Sequence, residues 1–264
     1  MIIDSHEHII LPTEKQLENM DKAGVDKTIL FTTTPHPEKA HNLAEFEQEF
    51  QSLNAILSGH FNKEKRCRDV KQTINELCQV LKSRPDRFYG FGMVPFSLTD
   101  GETAAWVAEN IVSNGLKGIG EISPAGGTVK LLSPIFKAAS QYDRLPVWLH
   151  TFHPVTRDDI MEIAALCSQF PNVPVIFGHM GGVNWLDVIH LAKEHPNIYL
   201  DLSATFTAVA PRFAMQELPE RTLFSSDAPY GDPLLSRQIV EQLSPNREVT
   251  ERVLGGNILE LLNL

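Results

Sequence analysis

The chain has 264 residues, 42% of them hydrophobic and 21% charged, a composition ordinary for a globular protein with a sizeable core. Its 23 basic and 33 acidic side chains leave a net charge of −10, which argues against a polyanionic partner such as nucleic acid. No apolar run reaches the roughly 18 residues that a membrane span needs, and the N-terminus carries no basic leader, so a cytoplasmic protein away from membranes is expected.

The first predicted strand, Ile2–Ile9, holds the run Asp4-Ser5-His6-Glu7-His8 between pairs of isoleucines. Strand side chains alternate, which places Asp4, His6 and His8 on one face and Ser5 and Glu7 on the other. Two imidazoles on one strand face suit a shared cation, and they equally suit two hydrogen-bonded core histidines; the strand alone leaves both open. An amphipathic helix over Glu14–Ala23 leads to a second strand, Lys27–Thr33. A long insertion then runs from Thr34 to about Arg66, with a helical piece at Leu43–Leu57 and a turn at Ser58-Gly59-His60-Phe61-Asn62. Connections of this length serve as lids, subunit contacts or decoration. The basic run Lys63 to Arg68, broken by Glu64 and Cys67, reads as a solvated helix face. Six further strands are expected at Phe88–Val94, Leu116–Ile122, Pro146–His150, Pro174–His179, Ile198–Leu202 and Thr222–Ser226, with helices at Thr103–Ser113, Ile135–Gln141, Arg157–Gln169 and Trp185–Glu194 between them. Phe170-Pro171-Asn172 and His195-Pro196-Asn197 each end a helix and open the next strand, proline stopping the helix and asparagine tolerating the turn. Cys67, Cys78 and Cys167 are odd in number and lack C-x-x-C spacing, the pattern of reduced thiols.

Strands alternating with helices imply right-handed crossovers and a parallel sheet. Eight such repeats in 264 residues fit a closed (β/α)8 TIM barrel, one domain over residues 1–264 with a longer loop and helical insertion after strand two. The absence of Gly-x-Gly-x-x-Gly after the first strand disfavours a dinucleotide-binding sheet. In such a barrel, chemistry gathers at the C-terminal ends of the strands. His6 and His8 close strand one, Glu121 strand four, His150 strand five, His179 strand six, and Asp227 follows strand eight. Four of the ten histidines and two acids thus fall at one rim, which accident hardly produces.

This ordered set resembles the amidohydrolase superfamily of metal-dependent TIM-barrel enzymes. Gly178-His179-Met180-Gly181-Gly182, Tyr199-Leu200-Asp201-Leu202-Ser203, Phe224-Ser225-Ser226-Asp227 and Gly255-Gly256-Asn257 are similar to its amidohydrolase-related branch, which includes aminocarboxymuconate-semialdehyde decarboxylase. Gly120-Glu121-Ile122 departs from that branch's mononuclear pattern and resembles the TatD-like deoxyribonucleases, where a strand-four glutamate helps hold a second metal. The carboxylated lysine typical of dinuclear members has no candidate.

The resemblance implies a divalent metal, zinc by its donor set, held by His6, His8, His150 and Asp227, with Glu121 as a further ligand if a second ion binds. It implies that His179 and Asp227 move protons, and that Asp4 and Asp201 brace ligands from behind. His60 and His153, with His36, lie in loops at the mouth and are expected to touch a small-molecule substrate. Metal-assisted hydrolysis of a C–N or C–O bond in a small acyl compound is the leading expectation. The alternative is nonoxidative decarboxylation of an aromatic or unsaturated acid, which calls for a mouth-facing arginine; Arg66, Arg157 and Arg212 are the candidates. A TatD-like nuclease and a non-catalytic metal-binding protein stand behind these. The long second loop also permits a homodimer contact.

Overall fold

The computed structural model describes residues 1–57, 63–96 and 98–264, with backbone alone at 52, 56, 57 and 63. Eight parallel strands follow one another in chain order around a single sheet: β1 Ile3–His8, β2 Lys27–Phe31, β3 Phe88–Gly92, β4 Gly118–Ile122, β5 Val147–His150, β6 Val175–Gly178, β7 Ile198–Asp201 and β8 Thr222–Leu223. The amide of Ser5 donates to the Phe224 carbonyl, that of His8 to Ala228 and that of Asp227 to His6, and these bonds join β8 to β1. The fold is a (β/α)8 TIM barrel in one domain, as the strand pattern implies.

Helices α1 Thr13–Ala23, α2 Leu43–Leu57, α3 Lys63–Ser83, α4 Asp100–Trp106, α5 Ser133–Ala139, α6 Arg157–Gln169, α7 Trp185–Glu194, α8 Val209–Glu217, α9 Pro233–Leu243, α10 Arg247–Glu251 and α11 Asn257–Leu262 flank the sheet. The predicted α6 and α7 match residue for residue. The helix expected over Thr103–Ser113 starts earlier, at Asp100, because Thr99 and Glu102 form a capping box; a π-helical stretch, Val107–Val112, continues it. The basic run at 63–68 opens the 21-residue helix α3, so residues 63–66 of the insertion are the start of a long helix rather than a connection. The expected turn at 58–62 lies outside the described residues, and His60 with it. None of the helices among the described residues is long and apolar enough to cross a membrane.

Two apolar layers hold the barrel. Ile3, Ile29, Phe31, Phe91, Trp148, Ile176 and Leu223 fill its interior, while residues such as Leu30, Ile119, Val147, Leu149, Val175 and Phe177 pack outward against the helices. Burial on this scale, at roughly 25 cal/mol per Å² of apolar surface, is the main support of the strand ends that carry the polar residues. The asparagine signals also do structural work here. Asn197 Nδ2 donates to the carbonyls of Cys167, Phe170 and Val173, tying the end of α6 to the start of β7. Asn257 Nδ2 donates to Pro219 and Thr222, fixing the approach to β8.

The first strand corrects one expectation. Pairing between β1 and β2 slips between Asp4 and Glu7. Ile3 packs in the interior with Phe31 and Trp148, and the His6 ring lies against the same two side chains, so strict alternation fails across Asp4 and Ser5. Asp4 therefore does not share the His6/His8 face. It accepts from the backbone amides of His6 and Ser226 and shares its surroundings with Glu7. The brace it supplies reaches the backbone of β1 and not an imidazole ring.

Candidate metal centre

The rim residues converge. His6 Nε2 lies 3.7 Å from both Glu121 Oε2 and Asp227 Oδ1, and His8 Nε2 lies 3.7 and 3.3 Å from the same two oxygens. Atoms that share one ion at about 2.0–2.2 Å stand roughly 3.0–3.6 Å apart, close to these spacings. His6 Nε2 is fully buried and has no hydrogen-bond partner, a lone pair aimed at the space between two carboxylates. An orphan of this kind is costly unless something occupies that space.

The tautomers are set from behind. His6 Nδ1 stands 2.9 Å from Asp201 Oδ2, a carboxylate that can only accept, so Nδ1 carries the proton and Nε2 the lone pair. Burial raises the Asp201 carboxyl, but bonds and charge from His6 and His179 outweigh it and hold Asp201 at about 2. Trp148 Nε1 also donates to Asp201, at 3.3 Å. His8 Nδ1 faces the Thr32 carbonyl at 3.4 Å, which leaves its Nε2 free in the same sense.

Glu121 joins this group to a second. Its Oε2 faces His6 and His8, while its Oε1 lies 3.0 Å from His150 Nδ1 and 3.2 Å from His179 Nε2. His179 Nε2 and His150 Nδ1 are 3.1 Å apart, and His150 Nε2 is occupied by the His153 carbonyl at 3.0 Å. His150 therefore stands with Glu121 and His179, whereas His6, His8 and Asp227 form the other set. Gly178 on β6 packs against this junction; a Cβ there would clash with the Leu149 carbonyl at 2.7 Å and touch Glu121 Oε1 at 3.4 Å. Burial opposes ionisation of Glu121, yet His150, His179 and His6 together hold its carboxyl well below the ordinary range. Burial likewise opposes charge on His179, and the bond to Glu121 with the charges of Asp227 and Asp201 overrides it, raising His179 to about 9. Carboxylates that draw protons onto buried imidazoles in this way would draw a divalent cation as readily. The residues present fit a metal.

His179 and Asp227 also share a backbone feature. Both have left-handed φ, +60° in each case, His179 directly after β6 and Asp227 four residues beyond β8. Conformations that β-carbon residues rarely adopt cluster where side chains are aimed for function, and here they turn both side chains into the mouth. His179 Nδ1 is anchored on Ser203 Oγ at 2.8 Å.

A cavity of about 360 Å³ opens above these donors. Its floor holds His8, Glu121, His150, His179 and Asp227, and its walls include Phe50, Leu53, Met93 and Phe152. His153 lines it as expected for a mouth residue. His36 does not line it: its ring bonds Glu38 at 2.9 Å. Of the three arginines, Arg66 lines the cavity, Arg157 pairs with Asp187 on the surface, and Arg212 lies over the Phe213 ring. Sequence reasoning passed over Tyr230, whose ring stands perpendicular to His8 with centroids 6.0 Å apart and borders the cavity. Its place three residues after Asp227, in Asp227-Ala228-Pro229-Tyr230, was the available signal. Burial and the surrounding carboxylates push the Tyr230 phenol far up, so it stays protonated.

Comparison with known proteins agrees with this picture. The profile of a family described as amidohydrolase matches residues 3–264. A 2-amino-3-carboxymuconate-6-semialdehyde decarboxylase of Dictyostelium discoideum is 25% identical over 256 residues, 79% of this chain and 70% of that protein. Among solved structures, 5-carboxyvanillate decarboxylase from Sphingomonas paucimobilis superposes with a TM-score of 0.74 at 16% identity, covering all of this chain and 99% of the other. A dihydroxybenzoic acid decarboxylase from Polaromonas, solved with manganese and 2-nitroresorcinol, gives 0.74 at 17% identity over all of this chain and 97% of its own.

Proposed function

This chain belongs to the amidohydrolase family, and from that premise we propose that it is a metal-dependent decarboxylase of a small aromatic or unsaturated acid. The observation that carries the reading is the cavity itself: apolar walls of Phe50, Leu53, Met93 and Phe152, a buried arginine, and a floor of metal donors. Such a space suits a flat, anionic molecule of modest size. The decarboxylase named among its relatives supports the same choice, while the solved structures at 16–17% identity speak to the fold.

His6, His8, Asp227 and Glu121 would hold a divalent ion, with His150 beside it. That ion supplies a Lewis acid that draws negative charge on the substrate toward the floor. The chain's own side chains do the rest. The walls exclude water and hold the ring flat, which fixes the carbon bearing the carboxylate above His179. As the C–CO₂⁻ bond breaks, its electron pair stays on that carbon and His179 Nε2 delivers the proton that replaces CO₂. Ser203 keeps the imidazole in position, and Glu121 favours its protonated form. The donor set accepts zinc or manganese, so metal identity is a matter for analysis of the purified protein.

A second reading has one specific observation behind it. The two oxygens of Glu121 face two separate donor sets, an arrangement suited to two ions and to activation of water between them. It supports hydrolysis of a C–N or C–O bond in a small acyl compound. One experiment separates the two. Metal-loaded protein is incubated in ¹⁸O-labelled water with hydroxybenzoates, unsaturated diacids, lactones and amides. Release of CO₂ with no label in the organic product supports decarboxylation. Label in the product without CO₂ overturns it in favour of hydrolysis.

A further inference from the structure

Three consecutive residues at the exit of β5 hold the turn that carries His179. His150 Nδ1 stands 3.1 Å from His179 Nε2, and Phe152 lies over Gly182, where a Cβ would enter its ring. Between them, Thr151 is fully buried and reaches the backbone of the turn itself. Its hydroxyl donates to the Gly178 carbonyl and accepts from the Gly181 amide at 2.9 Å. The register of β5 on β6 ends at the pair His150 and Gly178, so the Thr151 side chain carries the seam one step past the paired strands. What it spans is unusual backbone. His179, Met180, Gly181 and Gly182 all have φ between +52° and +75°, and the first two carry β-carbons. Residues of that kind hold left-handed conformations only where their surroundings leave no alternative.

Ser203 fixes one nitrogen of the His179 ring, but a ring is aimed only as well as the Cα that bears it. A hydroxyl that gives to one peptide group and takes from another three residues on fixes both ends of the turn, with His179 enclosed between them. A proton donor must stand within hydrogen-bond reach of the atom it serves, and a misplacement of about 1 Å costs roughly 100-fold in rate. We propose that Thr151 is a positioning residue: through Gly178 and Gly181 it holds the His179 imidazole on the line along which the proton is delivered. That His179 delivers a proton rests on the decarboxylase reading above; that Thr151 sets the orientation of the ring does not. Thr222 supplies a contrast. It too is fully buried, its hydroxyl 2.8 and 3.1 Å from the carbonyls of Leu218 and Ala214, but it opens β8 at the base of the barrel, away from the mouth.

The ring itself is the readout. Zinc-loaded protein carrying ¹⁵N-histidine gives imidazole signals in solution, that of His179 being the one lost in His179→Gln. Thr151→Val removes the hydroxyl at nearly constant shape and is expected to shift or broaden that signal while zinc content stays as in the wild type. Thr151→Ser should restore the wild-type signal. Thr222→Val should leave it in place, even where both valine variants lose thermal stability. On an acid that the wild type decarboxylates, Thr151→Val should lower kcat about tenfold with KM near the wild-type value. The proposal is overturned if the His179 signal of Thr151→Val matches that of the wild type, if Thr222→Val perturbs it as much, if Thr151→Ser fails to restore it, or if KM rises while kcat holds. Should Thr151→Val fail to fold, Thr151→Cys, a weak donor of similar size, is read by the same signals. Failure of the decarboxylase reading shows instead as absent CO₂ release with this pattern of signals intact.

Discussion

The floor of the cavity and its far wall come from different parts of the chain. The donors stand at or shortly past the ends of barrel strands, and the four histidines are each fixed by a neighbour: His6 by Asp201, His8 by the Thr32 carbonyl, His179 by Ser203, His150 by the His153 carbonyl. The far wall is carried by the insertion, through Phe50, Leu53 and Asn54 of α2 and Arg66 and Thr73 of α3. Side chains on a closed sheet keep their geometry because seven neighbouring strands share any displacement, whereas a wall on inserted helices changes without disturbing the barrel. The division assigns reactivity to the strands and selection of the substrate to the insertion.

The severest way to break this division is to remove a floor donor. His6→Ala or Asp227→Asn is expected to abolish both bound metal and turnover, read by metal analysis after dialysis and by CO₂ release. Asp201→Ala leaves every donor in place but frees the His6 ring, and should weaken metal binding by about 10- to 100-fold. If either donor variant kept full metal and full activity, the centre would lie elsewhere.

Much of the floor was legible in the sequence because strand ends announce themselves. His150 and His179 close runs of apolar residues, and Asp227 follows one, so period and position agree. What failed there is local. Alternation placed Asp4 beside His6 and His8, and nothing in the letters signals the slip in pairing that turns it away. Nor does spacing show that His150 stands with His179 on one oxygen of Glu121 while His6 and His8 take the other. The far wall was far less legible. Arg66, Arg157 and Arg212 look alike in the chain, and only packing distinguishes the one that faces the cavity. Tyr230 escaped because its role depends on how the backbone turns after Asp227.

The far wall gives a milder break. Phe50 borders the cavity while 45% of its surface remains exposed, stacked on Phe46 at 5.8 Å between ring centroids. Phe50→Ala removes apolar contact with the substrate and nothing from the metal centre. KM should rise about fivefold, equivalent to roughly 1 kcal/mol, with kcat and metal content held near the wild-type values. A fall in kcat or metal content would show that the insertion takes part in the chemistry.

The reverse side of the donor strand sharpens the comparison with the least effect on the site. Glu7 is fully buried, accepting from Gln16 Nε2 at 2.8 Å and Thr28 Oγ1 at 3.2 Å, and burial pushes its carboxyl up to about 7 in spite of those bonds. Its ordinary value is 4.5, so between about pH 4.5 and pH 7 the folded chain holds a proton that the unfolded chain gives up. Stability therefore falls as pH rises through that window, and the penalty is complete above pH 7. Glu7→Gln keeps the acceptor for Thr28, gives up the one for Gln16, and removes the ionisation. At pH 8 the variant should melt a few degrees above the wild type, from a relief of up to roughly 3 kcal/mol, and at pH 4 the two should coincide. Metal content should be unchanged at both, because Glu7 points at Gln16 and Thr28 while His6 and His8 on the same strand point at Glu121 and Asp227. A variant that lost metal would show that the two faces of β1 are coupled, and that the floor draws its precision from the acids behind it as well as from Asp201.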